Sequence, residues 1–163
     1  MQPANHSRFV ALIEEHNGIL YKVANAYCRA HDDRGDLIQE IVVQLWRAFP
    51  RYDERQRFST WMYRVAMNVA ISFYRKEWRR QRDLVPLDEP ALDVAGALGA
   101  APDELRRLHE RLRTLGELDR ALVLLYLDGY AHGEIAELMG LTATNVSTRL
   151  GRIKKKLQQE RTA

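Results

Sequence analysis

The chain has 163 residues, 46% of them hydrophobic, which is enough for one medium domain or two small domains with apolar cores. No apolar run approaches the length of a membrane span, and the first residues lack the apolar stretch of a signal peptide. A single cysteine, Cys28, excludes an intramolecular disulfide framework and favours a reducing, cytoplasmic location. The formal net charge is only +3, so the distribution of charge is more informative than its sum.

The first half of the chain has the periodicity of helices. Apolar residues recur every three or four positions through residues 9–27 and again through residues 37–49. A third apolar stripe runs through residues 61–73, and Ser59 or Thr60 is a candidate cap for its helix. No stretch alternates polar and apolar residues as a strand would, so the predicted fold class is all-α.

Residues 83–101 interrupt the helical pattern with prolines, glycines and small residues, which predicts a flexible linker. Residues 83–104 carry six acids and no base, so the linker is also acidic. Pro102 then suits the first position of a new helix. The sequence therefore predicts two small helical domains, at residues 7–82 and 102–159.

Residues 130–157 predict a helix-turn-helix. Ala136 is small where two helices must approach, Gly140 can supply the positive φ of the turn, and Val146 continues the buried face. Thr142 is the predicted N-cap of the second helix, which such a unit places in the DNA major groove. The residues on its outward face that can hydrogen-bond to bases or phosphates are Thr144, Asn145, Ser147, Thr148, Arg149 and Arg152. The alternative is a helical hairpin in an ordinary all-α core.

Basic and aromatic residues interleave between residues 51 and 82, where nine Lys or Arg residues face three acids. Aromatic rings along a cationic surface suit single-stranded nucleic acid, because bases stack on the rings while the backbone follows the charge. Tyr74 and Trp78 fall off the apolar stripe and are the better candidates for such contacts. The rings that fall on the stripe, and are expected in the core, are Phe58, Trp61 and Phe73.

A duplex-reading hairpin combined with a surface for single strands is what promoter opening requires. With these features, the chain resembles the bacterial RNA polymerase sigma factors, in the extracytoplasmic-function group of the sigma-70 family. The resemblance covers roughly residues 9–82 and 105–158. Residues 36–46 resemble the segment that docks on the clamp helices of the polymerase β′ subunit. Residues 58–76 resemble the helix that holds the non-template strand at the −10 element, and residues 115–157 resemble the domain that reads the −35 element.

The resemblance implies three binding surfaces, and it implies as partners the β′ and β subunits of core RNA polymerase, promoter DNA and an anti-sigma factor. The residues implied in binding core polymerase are Asp36, Gln39, Glu40, Gln44 and Trp46. Those implied in binding the −10 element are Arg51, Arg57, Trp61, Asn68, Ser72, Arg75 and Trp78. Those implied in binding the −35 element are Thr142, Thr144, Ser147, Thr148, Arg149, Arg152 and Lys155.

The chain also departs from the family pattern. Ser72 stands where many relatives carry Asp, and Ser147 stands where Lys or Arg is common, so the −35 preference is expected to differ. Gly151 weakens the recognition helix by about 1 kcal/mol relative to Ala, or else allows close approach of the backbone to DNA. The acidic linker is consistent with a mimic of nucleic acid in the polymerase channel and equally with a soluble tether.

Catalysis has little support in the sequence. The acids around Asp36 could be imagined as Mg²⁺ ligands, but the chain has no second carboxylate cluster and no Gly-rich phosphate loop. Cys28 and His31 have a Cys-x-x-His spacing, but two ligands do not make a structural zinc site. We therefore expect no enzyme activity, no catalytic residue, no metal and no cofactor. The alternative function is a stand-alone helix-turn-helix regulator that binds duplex operators without polymerase.

Overall fold

The computed structural model describes residues 3–83 and 103–162, which fall into two compact units. All regular structure in these residues is helical, which confirms the predicted all-α class. Residues 84–102, which hold Pro102 and nearly all of the expected acidic linker, lie outside the described residues.

The N-terminal unit is built from four α-helices and one short 3₁₀ helix. They are α1 (Pro3–Glu15), α2 (Asn17–Tyr27), α3 (His31–Ala48), the 3₁₀ helix (Phe49–Arg51) and α4 (Phe58–Asp83). Helix α4 packs against both α2 and α3. Burial of their facing apolar stripes forms the core of this unit, whose fully buried side chains include Val23, Leu37, Ile41, Leu45, Met62, Tyr63 and Met67.

The apolar stripe at residues 9–27 is divided between two helices, which the periodicity did not predict. The backbone N–H of His16 still bonds the carbonyl of Leu12 at 3.1 Å, while the His16 carbonyl accepts from the N–H of Ile19 at 3.1 Å. His16 therefore ends one helix and opens the next. Asn17 and Gly18 follow it, and both residue types are poor helix formers.

Helix α4 begins earlier than the cap prediction placed it. Its first helical residue is Phe58, so neither Ser59 nor Thr60 is the N-cap, and that prediction was wrong. The N–H of Trp61 bonds the carbonyl of Arg57 at 3.1 Å, which places Arg57 at the start of the helix.

The C-terminal unit consists of α5 (Asp103–Arg113), α6 (Glu117–Leu127), α7 (His132–Met139) and α8 (Ala143–Thr162). Its core contains fully buried side chains from each helix, namely Leu112, Leu122, Leu125, Ile135 and Val146. The buried Arg120 guanidinium donates to the Leu115 carbonyl at 2.9 Å and to the Arg113 carbonyl at 3.0 Å. It thereby satisfies carbonyls that the end of α5 and the turn after it would otherwise leave unpaired.

The turn between α7 and α8 has the geometry of the predicted helix-turn-helix. Gly140 has φ +68°, and the N–H of Leu141 bonds the carbonyl of Ala136 at 2.8 Å, which closes the end of α7. Thr142 Oγ1 accepts from the N–H of Asn145 at 3.1 Å, so the predicted N-cap of α8 is present. Val146 is fully buried.

Candidate nucleic-acid and protein interfaces

A groove of about 920 Å³ runs between α3 and α4 in the N-terminal unit. Asp36, Gln39, Glu40 and Gln44 line its α3 wall, together with Val43, which is 37% exposed. Gln44 Nε2 donates to Glu40 Oε1 at 2.9 Å. The sequence predicted that the four polar residues share one face, and the structure brings them together. An acidic, amide-rich wall with an exposed valine suits a protein better than it suits a polyanion.

The opposite wall of this groove belongs to α4. Asn68 and Ser72, which the resemblance assigned to the −10 element, line it together with Lys76 and Arg80. The expected polymerase surface and part of the expected −10 surface therefore face one groove. The sequence alone did not reveal this, because it does not show how α3 and α4 are packed.

Trp46, the fifth residue expected to bind polymerase, is not among the residues that line the groove. Its ring packs against His6 at 5.5 Å and against Phe9 at 5.0 Å between ring centroids, so it faces α1. Two residues along a helix correspond to about 200° of rotation, which carries Trp46 away from the face that holds Gln44.

The loop between the 3₁₀ helix and α4 is held by an aromatic cluster. The Tyr52 ring lies 4.9 Å from Trp61 and 5.5 Å from Phe58, and its hydroxyl donates to the Gln56 carbonyl at 2.7 Å. Burial raises the pKa of Tyr52, so the hydroxyl keeps the proton that it donates. Trp61 is only 8% exposed, so this expected DNA contact instead supports the loop from within the core.

Two exposed guanidinium groups flank this loop, those of Arg51 and Arg57. Neither forms a hydrogen bond or ion pair with another residue that the structure describes. Within the loop, Arg55 Nη2 lies 2.9 Å from Asp53 Oδ2, and hydrogen bonds from the Arg55 side chain lower the pKa of Asp53. A loop of fixed conformation with two available cations at its ends can receive a phosphate backbone with little reorganisation.

The outer face of α4 carries Arg75 and Trp78, both exposed, and Trp78 is 55% exposed. Tyr74, the other ring expected to contact nucleic acid, is half-buried and lies 6.3 Å from the ring of Tyr27 on α2. The structure thus offers Trp78 as the exposed stacking surface of this helix, and it assigns Tyr74 chiefly to packing.

The outward face of α8 is polar and basic. Thr144, Thr148, Arg152 and Lys155 are exposed, and none of the four bonds to another described side chain. Thr142 is occupied as the N-cap. Ser147 is also exposed, but its Oγ lies 2.7 Å from His132 Nδ1 at the start of α7, a contact that ties the two helices of the hairpin together.

Arg149 is the residue of α8 whose placement differs most from expectation. Its Nη1 lies 3.1 Å from Asp119 Oδ1 on α6, and its Nε donates to Asn145 Oδ1 at 2.9 Å. The guanidinium is thus committed to intramolecular partners. Sequence reasoning missed Asp119 because it lies 30 residues from Arg149 and no local pattern connects them.

The described residues contain no group of three or more side chains that could hold a metal ion. None of the described helices is both long enough and apolar enough to cross a bilayer. Cys28 is buried.

Comparison with known families gives two matches in chain order. Residues 12–80 match the model of sigma-70 region 2, and residues 105–157 match the model of sigma-70 region 4. The chain belongs to the sigma-70 family. The two matches correspond to the two compact units. Together with similarity to relatives named as ECF sigma factors, they confirm the resemblance to the extracytoplasmic-function group. The protein is a sigma factor, and its partners are core RNA polymerase and promoter DNA.

Two named relatives illustrate the similarity of this sigma factor to others. The RNA polymerase sigma factor CnrH of Cupriavidus metallidurans is 30% identical over 166 residues, which cover 94% of this chain and 86% of the relative. The ECF RNA polymerase sigma factor SigX of Bacillus subtilis is 28% identical over 149 residues, which cover 86% of this chain and 76% of the relative.

Solved structures share the fold. CnrH in complex with the cytosolic domain of CnrY matches with a TM-score of 0.68 and 24% identity, over 94% of this chain and 87% of that chain. The sigma factor RpoE of Bartonella quintana, in complex with the anti-sigma factor NepR, matches with a TM-score of 0.64 and 17% identity, over 94% of each chain.

Proposed function

We propose that this sigma factor carries out initiation with three surfaces. The α3 wall of the groove binds core polymerase. The loop at residues 52–57 and the outer face of α4 bind the melted −10 strand, and the outward face of α8 binds −35 duplex. The observation that carries the proposal is the α3 wall itself. A stand-alone regulator needs no acidic groove beside a basic, aromatic helix.

The polymerase surface is proposed from its charge and shape. Asp36 and Glu40 provide two carboxylates along one helix face, and the exposed Val43 lines the same wall. A positively charged helix of a protein partner could form ion pairs with this wall and bury the valine. The same carboxylates would repel a phosphate backbone, so we expect DNA to approach only the α4 wall, which carries Lys76 and Arg80.

The −10 surface is proposed from its order and its cations. Extrusion of a base costs a few kcal/mol, which stacking and a prepared loop must offset. The Tyr52 cluster fixes the loop, Arg51 and Arg57 are available for phosphates, and Trp78 offers a face for stacking. Asn68 and Ser72 lie in the groove, where the strand and the polymerase would come together.

The −35 surface is proposed on α8. Thr144 and Thr148 can hydrogen-bond to base edges, while Arg152 and Lys155 are free cations among the described residues and suit phosphates.

We assign no catalytic residue to this chain, because phosphodiester chemistry belongs to the polymerase in this family, and we place the protein in the cytoplasm with that enzyme. RpoE of Bartonella quintana is in complex with an anti-sigma factor, and we propose control by such a partner here.

Reconstituted transcription tests the function. Purified protein added to core polymerase and genomic fragments should give promoter-specific transcripts that core polymerase alone does not produce. If the protein binds duplex operators by itself and yields no such transcripts, the regulator alternative is correct.

Charge reversal tests the polymerase surface. Asp36→Arg should weaken association with core polymerase at least tenfold while the helical content and melting temperature stay unchanged. Glu14→Arg, an exposed acid on α1, is the matched control and should bind core polymerase as the unmodified protein does. Unchanged copurification of Asp36→Arg with core polymerase would refute the assignment of the α3 wall.

A further inference from the structure

The guanidinium of Arg149 lies between two acceptors, one from α6 and one from α8 itself. Nη1 lies 3.1 Å from Asp119 Oδ1, and Nε lies 2.9 Å from Asn145 Oδ1. The Arg149 and Asp119 side chains are 32% and 31% exposed, so solvent screens this ion pair less than an open surface pair. The ion pair with Asp119 on α6 therefore fixes the Arg149 guanidinium, and the guanidinium in turn fixes the side chain of Asn145.

This contact determines the orientation of the Asn145 amide. A guanidinium has only donors, so the atom that faces Arg149 Nε must be the carbonyl oxygen of the amide. The Nδ2 group, with two donors, remains for another partner. The backbone of Asn145 is also fixed, since its N–H bonds Thr142 Oγ1 at 3.1 Å. Both halves of this residue are therefore oriented before DNA arrives.

Asn145 is exposed and is the third residue of α8. The first turn of a recognition helix is the part that meets base edges in the major groove. A fixed amide that presents donors suits a base edge with acceptors, which is guanine through N7 and O6 or thymine through O4. The exocyclic amine of adenine would compete with Arg149 for the same Oδ1.

We propose that Asn145 is a specificity-determining contact of the −35 surface for a base whose major-groove edge offers acceptors, guanine or thymine. Arg149 and Asp119 are positioning residues that orient its amide. The inference rests on the proposed role of α8 in binding the −35 duplex. It differs from the expectation that Arg149 itself contacts DNA.

The two roles for Arg149 differ in their dependence on salt. Loss of a phosphate contact lowers the slope of log K against log salt by about 0.9 and weakens all sequences alike. Loss of a positioning residue leaves that slope unchanged and reduces the preference for one base. Loss of a good base contact reduces discrimination by about 5-fold or more.

The experiment uses the full chain with core polymerase and promoters that are randomised across the −35 element. The unmodified protein should prefer guanine or thymine at one position. Asn145→Ala, Arg149→Ala and Asp119→Ala should each reduce that preference by about 5-fold or more at the same position, with the salt slope unchanged. Arg152→Ala is the matched control, and it should lower the slope by about 0.9 and keep the preference.

Asn145→Asp supplies a test in which the side-chain arrangement is kept. The carboxylate retains the bond to Arg149 and suits the first turn of a helix, but it has acceptors only. The preference at that position should therefore change to a base with an amine donor, and to cytosine above adenine, because adenine also places its N7 acceptor against the carboxylate. A protein that selects no −35 base would refute the proposed function and this inference together. A preference that Asn145→Ala leaves intact, or a lowered salt slope in Arg149→Ala, would overturn the inference alone.

Discussion

Gly151→Ala should make the C-terminal unit more stable and, at the same time, a poorer DNA-binding unit. Gly151 lies within α8, and no heavy atom of the described residues, apart from its own helical turn and chain neighbours, lies within 4 Å of the position that an added Cβ would take. The methyl group therefore meets open space, while alanine gains about 1 kcal/mol over glycine in a helix interior. For a unit of this size, that gain corresponds to a rise of about 4–8 °C in melting temperature.

Gly140→Ala is the matched control, since the same chemical change in the same hairpin should have the opposite sign. Gly140 has φ +68°, a conformation that costs a residue with a Cβ about 1–2 kcal/mol. Differential scanning calorimetry of the two variants should therefore give shifts in opposite directions. A melting temperature that does not rise in Gly151→Ala would refute the reasoning from helix propensity.

The DNA-binding result for Gly151→Ala tests the second half of the prediction. Gly151 is exposed on the outward face of α8, between Thr148 and Arg152 along the helix. The proposed −35 surface places this part of α8 against the major groove, so the new methyl group should crowd the DNA and lower the affinity of holoenzyme for the promoter. An affinity equal to that of the unmodified protein would show that the backbone does not approach DNA closely at this position.

Three further predictions concern other parts of the chain. Trp78→Ala should weaken binding of holoenzyme to forked DNA with an unpaired −10 strand by about 1–3 kcal/mol, as measured by fluorescence anisotropy, and should leave binding of −35 duplex unchanged. His109 is 6% exposed and its Nδ1 has no partner among the described residues, so burial first, and the charge of Arg113 second, lowers its pKa. The unfolded state then binds more protons than the folded state. The contribution of neutral His109 to the free energy of unfolding is therefore fully present above the unfolded pKa of about 6.5, and it is lost as the pH falls through the lowered folded pKa. His109→Leu should remove this part of the acid sensitivity of the C-terminal unit in melting curves from pH 5 to 8; an equal pH dependence in both proteins would contradict it. Leu125→Ala, at a fully buried position, should destabilise the C-terminal unit by about 2–5 kcal/mol and leave hydrogen exchange in the N-terminal unit unaffected. Faster exchange in the N-terminal unit as well would show that the two units unfold together.

The sequence predicted the helical fold well where one stripe of apolar residues corresponds to one helix. Leu37, Ile41 and Leu45 recur every fourth residue and are all fully buried. The same signal was misleading at His16, because the spacing of apolar residues continues across the boundary between α1 and α2. Periodicity records which residues face the core, but it does not record where the backbone changes direction.

The candidate binding surfaces were predictable to the extent that they depend on one helix. The shared face of Asp36 and Glu40 follows from the geometry of α3 alone. The bond from Arg149 to Asp119 could not be predicted in this way, because it joins residues 30 positions apart on two helices. Trp61 fell on the apolar stripe and also within the family motif, and the structure assigns it to the core.

If the proposed surfaces are correct, the groove between α3 and α4 is a point at which two tasks of this protein can be blocked together. Asp36 on one wall and Asn68 and Ser72 on the other lie within reach of a single occupant. A short inhibitory helix seated there would block recruitment and strand capture with one footprint, and an antagonist selected for that space would act before any promoter is engaged.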